Sequence, residues 1–132
     1  MKTNESAENY LETILMLGKA QGNVRSIDIA TALSFSKPSV SVAMKNLREN
    51  GYILMDKDGF IALTEKGHEI AETIYERHTL LSSFLMYLGV SKETATQDAC
   101  RIEHVISPES FEALKQHVYS HKEIMDIKDV KI

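Results

Sequence analysis

Residues 26–64, SIDIATALSFSKPSVSVAMKNLRENGYILMDKDGFIALT, carry more start and stop signals than any other stretch of the chain. SIDIATAL reads as a short helix with Ser26 as its N-cap. SFSKP breaks it. Pro38 falls in the first turn of the next helix, where its missing N–H costs nothing, with Ser36 or Lys37 as cap. Val40, Ala43, Met44 and Leu47 then recur at three- and four-residue steps, which makes one apolar stripe. Gly51 ends that helix. Two apolar runs follow, Tyr52–Met55 and Phe60–Leu63, on either side of DKDG. This is a hairpin signal, with Asp58-Gly59 expected to supply the positive φ angles of the turn. Helix, short turn, helix and hairpin in that order describe a winged helix-turn-helix.

The flanking segments are helical. SAENYLETILMLGK, residues 6–19, places Leu11, Ile14, Leu15 and Gly18 on one face, with Ser6 as cap. Thr64 caps a long helix that ends at Gly89, with Glu65 in its first turn. Ser91 caps another through Ile106. Ser107-Pro108-Glu109 starts a third that runs to about Tyr119. The tail from 120 to 132 has Ile124, Ile127 and Val130 at helical spacing and is either a helix or a frayed end. The expected fold is mainly α. A winged helix-turn-helix domain with a two-stranded wing covers 1–72, and an α-helical dimerisation and metal-binding domain covers 73–132. No apolar run has the length of a membrane span, and MKTNESAENY has no signal-peptide core. A single cysteine excludes an internal disulfide, so the expected compartment is the cytoplasm, with no membrane partner.

The net charge of −4 argues weakly against a nucleic-acid partner. The charge is uneven, however: between Lys19 and Lys66 seven Lys/Arg outnumber five Asp/Glu, a local net of +2. The helix from Pro38 would enter the major groove. Ser36, Lys37, Pro38, Ser39, Ser41 and Lys45 are small or basic, which permits close approach to phosphates at a helix N-terminus. Val42 can touch a thymine methyl. Arg25, before the second helix, and Lys57, in the wing turn, suit phosphate contacts. The competing reading is a small α+β fold that binds no DNA. With no Arg or Gln at the helix start, modest specificity per half-site is expected.

ACRIEHVIS, residues 99–107, holds the only cysteine. On a helix Cys100, Glu103 and His104 share a face, beside a stripe of Ala99, Ile102 and Ile106. The triplet alone favours a plain reading: a cysteine acting as a small hydrophobe, a solvated glutamate and a boundary histidine. His78 shifts the balance. It sits on the stripe of Ala71, Ile74, Leu81 and Leu85, and a buried imidazole needs a partner. Asn9 and Glu12 flank the stripe of the first helix, while Glu8 reads as solvated. Cys, Glu, His and Asn together suit Fe(II), Mn(II), Co(II), Ni(II) or Zn(II), not calcium.

Residues 5–119 resemble the diphtheria toxin repressor and manganese transport regulator family of metal-dependent transcriptional repressors. The segments AENYLETILML, SIDIATALSFSKPSVSVAMKNL, GFIALTEKGHEIA, ERHTLLSSFL and ACRIEHVIS carry the resemblance by order and spacing. It implies a homodimeric repressor, not an enzyme, that binds double-stranded operator DNA when loaded with a divalent metal and controls metal homeostasis. The short length, with no room after about residue 120 for an SH3-like domain, is similar to the manganese branch. By position, the resemblance implies a main site of Asn9, Cys100, Glu103 and His104, and a neighbouring ion on Glu12 and His78 that shares Glu103 and could also use Cys100. Asn9 stands where manganese members have aspartate and iron members methionine. Cys100 is the iron-type residue. Ser82 and Thr96 replace a Glu and a His of the iron members' ancillary site. The thiolate favours Fe(II) over Mn(II), with Co(II), Ni(II) or Zn(II) able to bind in vitro. Two other readings compete. One is a winged-helix regulator that senses a redox or small-molecule signal through Cys100 without metal. The other is a hydrolase using Cys100 and His104, which lacks an oxyanion-hole glycine turn.

Overall fold

The computed structural model describes residues 4–121, so most of the tail read above as helix or frayed end lies outside the described residues. The chain divides into two compact units, with the boundary after Thr73.

In the first unit, α1 (Glu5–Gln21) precedes α2 (Ser26–Leu33) and α3 (Lys37–Glu49). The cap of α1 is Asn4 and not Ser6: its Oδ1 accepts the Ala7 N–H at 2.7 Å. Ser26 likewise begins α2 without capping it. Arg25 is the cap residue, and its N–H donates to the Asp28 carboxylate at 2.9 Å. Ser36 caps α3, accepting the Ser39 N–H at 3.3 Å. Between α2 and α3 the chain turns through Ser34, which has φ 58°. It is the one non-glycine residue with positive φ among those described, and that conformation costs about 1–2 kcal/mol. Tyr10, Leu11, Ile14, Ile29, Val40, Met44 and Leu47 form the core of this unit.

The wing is β1 (Ile53–Met55) paired antiparallel with β2 (Ile61–Leu63), with Leu54 opposite Ala62. Ile53 and Ile61 face inwards and Leu54 faces solvent, the alternation a half-buried ribbon requires. The turn is not the two-residue type expected. Asp56 pairs with Phe60, leaving Lys57, Asp58 and Gly59 in the loop, and only Gly59 has positive φ. The Asp56 carboxylate closes it, accepting the N–H groups of Asp58 and Phe60 at 2.9 Å each.

Helix α4 (Glu65–Tyr87) leaves the wing through Thr64. The Thr64 hydroxyl donates to the Gly51 carbonyl at 2.7 Å and accepts the Gly67 N–H at 3.1 Å. Gly67 lies against the Tyr52 backbone, and any Cβ there would collide with the Tyr52 carbonyl. Gly67 is therefore required by packing.

In the second unit, the later part of α4 joins α5 (Lys92–Ile102) and α6 (Pro108–Ser120), capped by Ser91 and Ser107. Leu80, Phe111 and Val118 form the core, with Phe84, Ile106 and Leu114 against it. Helix α5 stops at Ile102, four residues short of the expected end, so Glu103 and His104 belong to a turn.

Candidate metal centre and nucleic-acid interface

The stripe on α4 buries His78, which is 5% exposed. Its Nδ1 lies 2.9 Å from Glu103 Oε2. The other oxygen of Glu103 lies 3.4 Å from His104 Nε2. The Glu103 side chain is fully buried and that of His104 is 3% exposed. The second unit thus brings three of the expected residues together: His78 from α4, and Glu103 and His104 from the turn after α5. Glu103 is not the solvated glutamate of the plain reading. Cys100, one turn earlier on α5, is exposed and not a buried hydrophobe. Asn9 and Glu12 lie on α1 in the first unit, Asn9 half-buried and Glu12 buried.

The His78–Glu103 pair tests whether these residues suit a metal ion. A carboxylate only accepts, so in the neutral ring Nδ1 carries the proton and Nε2 presents a lone pair. That Nε2 is buried and makes no hydrogen bond among the described residues. A carboxylate on one imidazole nitrogen and an open lone pair on the other is the arrangement of a metal-ligating histidine. The donors gathered here, imidazole and carboxylate, are those of a first-row transition ion. The residues fit.

Ser82 donates to the His78 carbonyl at 2.7 Å, so its hydroxyl serves its own helix. Sequence reasoning passed over Arg77. Its Nη1 donates to the carbonyls of Glu103 at 3.0 Å and Ile106 at 3.2 Å. Its place beside His78 was the only available signal.

The residues expected to meet DNA are all exposed: Ser36, Lys37, Pro38, Ser39, Ser41, Val42 and Lys45 around α3, Arg25 before α2 and Lys57 in the wing turn. Val42 is 61% exposed, whereas Val40 on the same helix is buried. Ser36 is already committed, donating to Ser39 Oγ at 2.8 Å as well as capping. The Arg25 guanidinium stacks 4.4 Å from the centroid of Phe60, which ties it to the wing.

Residues 2–61 match the N-terminal DNA-binding domain of iron-dependent repressors, and residues 64–124 match their metal-binding and dimerisation domain. The chain belongs to the iron-dependent repressor family. These repressors are transcriptional regulators, so a hydrolase on Cys100 is set aside. The transcriptional regulator MntR of Escherichia coli O6:H1 is 35% identical over 117 residues, covering 89% of this chain and 76% of that protein. The HTH-type regulator MntR of Bacillus subtilis is 35% identical over 130 residues, covering 98% and 92%. Among solved structures, the manganese regulator SloR superposes with a TM-score of 0.75 at 31% identity, over 90% of this chain. This chain spans 55% of the SloR chain, about half of its length. No helix among the described residues of this family member is long and apolar enough to cross a membrane.

Proposed function

We propose that this iron-dependent repressor homologue binds double-stranded operator DNA as a homodimer when a divalent first-row ion is bound, and so represses genes of metal homeostasis. The observation that carries the reading is the buried His78, held by Glu103 through Nδ1 and open at Nε2. The proposed ligands are Asn9, Glu12, His78, Cys100, Glu103 and His104. Residues 1–72 act as the DNA-binding domain and 73–132 as the helical dimerisation and metal-binding domain. When bound, the ion supplies positive charge against the carboxylates of Glu12 and Glu103. Glu103 orients His78 and fixes its tautomer. The turn after α5 carries Glu103 and His104 as a pair. Asn9 and Glu12 contribute from α1, so ligation biases how the DNA-binding domain is presented. Turning such a two-state equilibrium over requires a bias of roughly 5 kcal/mol.

The soft thiol of Cys100 favours Fe(II) over Mn(II), with Co(II), Ni(II) and Zn(II) as in-vitro substitutes. SloR is a manganese regulator, so the ranking of ions is the sharpest part of the test. Support for the dimer comes from the exposure of Tyr87, Leu88, Val105 and Tyr119 in the second unit. Leu80 and Leu81, by contrast, are buried.

The test is an anaerobic titration of promoter fragments with metal-stripped protein, then with Fe(II), Mn(II), Co(II) or Zn(II) added at fixed salt. The proposal expects affinity to rise with metal, most with Fe(II), and not in a Cys100→Ser, His104→Ala variant. Equal binding without metal would favour the redox reading through Cys100.

A further inference from the structure

Two adjacent residues of α4 hold the same glutamate. His78 binds the Glu103 carboxylate, while Arg77 binds the Glu103 backbone carbonyl and, with the same nitrogen, that of Ile106. These carbonyls lie just past the end of α5, where the last C=O groups of a helix have no partner within it. A cation there also faces the negative end of the helix dipole. The guanidinium lies 5.4 Å from the centroid of Phe111 on α6, and its Nε is buried without a hydrogen-bond partner among the described residues. Burying that N–H without a partner costs free energy, so the side chain is held by its two carbonyls and the ring.

We infer that Arg77 is a positioning residue for the metal centre: it brackets the turn at residues 103 and 106 and so sets where Glu103 and His104 present their donor atoms. The inference rests on the proposed function. Glu103 is the C-cap of α5, its N–H bonded to the Ala99 carbonyl at 2.9 Å, and past it the helical ladder no longer holds the carbonyls of the turn. Arg77 takes over that task from a distance of 26 residues in the chain. A lysine cannot replace it, because a single ammonium lacks the planar fork that lies against Phe111 while Nη1 meets both carbonyls. The side chain touches no ion. It acts through the two ligands it holds in place, as outer groups around metal sites do.

The experiment titrates the full metal-stripped chain with Co(II), reading the visible absorption bands that report coordination geometry. Thermal unfolding of the metal-free chain is followed in parallel. Arg77→Ala and Arg77→Lys are compared with Lys115→Met, which removes the ion pair to Glu76 in the same unit. The expected result is Co(II) affinity lower on the order of 10- to 100-fold in Arg77→Ala, with altered bands, at temperatures where the chain is folded. Added methylguanidinium should restore part of it, which a general loss of stability would not allow. Lys115→Met should bind as the wild type does. Where Arg77→Ala does not fold, Arg77→Lys carries the test, with about a tenfold loss expected. Wild-type affinity and bands in a folded Arg77 variant would overturn the inference alone. A wild type that takes up no Co(II) would overturn the proposed function and this inference with it.

Discussion

His78 shows how far one residue can be read from its neighbours. Ala71, Ile74, His78 and Leu81 share one face of α4 and all are buried, so the sequence stripe places the imidazole correctly. Its partner was not legible. The spacing of Cys100, Glu103 and His104 describes a helix face only while the helix continues, and α5 ends at Ile102. Nothing local announces that end. Pro108 restarts the chain as α6 and disfavours helix only at Ser107. The contact that secures the turn comes from Arg77, remote in sequence. Two predictions follow at this scale. His78→Ala should lower Co(II) affinity about tenfold or more, measured by competition with a chromogenic chelator, because a proposed ligand and its pair with Glu103 are lost together. Cys100→Asp should move preference toward Mn(II) relative to Co(II) in the same assay, because a carboxylate is harder than a thiolate.

The elements follow from local signals wherever the signal is a side chain meeting its own backbone. Ser36, Ser91 and Ser107 cap as their positions suggest. The misreadings have local causes too. Asn4 displaced Ser6 because either could cap a helix of that pattern, and α1 is longer by a turn's fraction at its start. Asp56 rather than Asp58 organises the wing turn, since its carboxylate reaches two N–H groups that a two-residue turn would not present. The αL Ser34 carries no residue signal at all. Glycines separate packing from propensity and can be tested in pairs. Gly67→Ala should destabilise the fold by roughly 1–3 kcal/mol in urea unfolding, since the Tyr52 carbonyl has to give way. Gly18 lies inside α1 with open space where a Cβ would go. There Gly18→Ala should stabilise by about 0.4–1 kcal/mol.

For the whole molecule the overall charge misleads and its distribution informs. The chain is at −4, yet the stretch from Lys19 to Lys66 is net positive and carries the exposed face of α3. Operator affinity should therefore fall with salt. Lys57→Ala should weaken binding to all duplexes alike and reduce the slope of log affinity against log salt by about 1, read by fluorescence anisotropy. The two-unit division places the proposed ligands on α1 in one compact body and those on α4 and the turn after α5 in the other. A regulator built this way has to couple ion binding to DNA binding, and coupling is reciprocal. The decisive measurement is the affinity of the metal-stripped protein for Fe(II), taken anaerobically with and without a saturating operator duplex. The account predicts that the duplex tightens Fe(II) binding by about 5- to 150-fold, and that Fe(II) tightens duplex binding by the same factor. Equal Fe(II) affinity with and without DNA would contradict it.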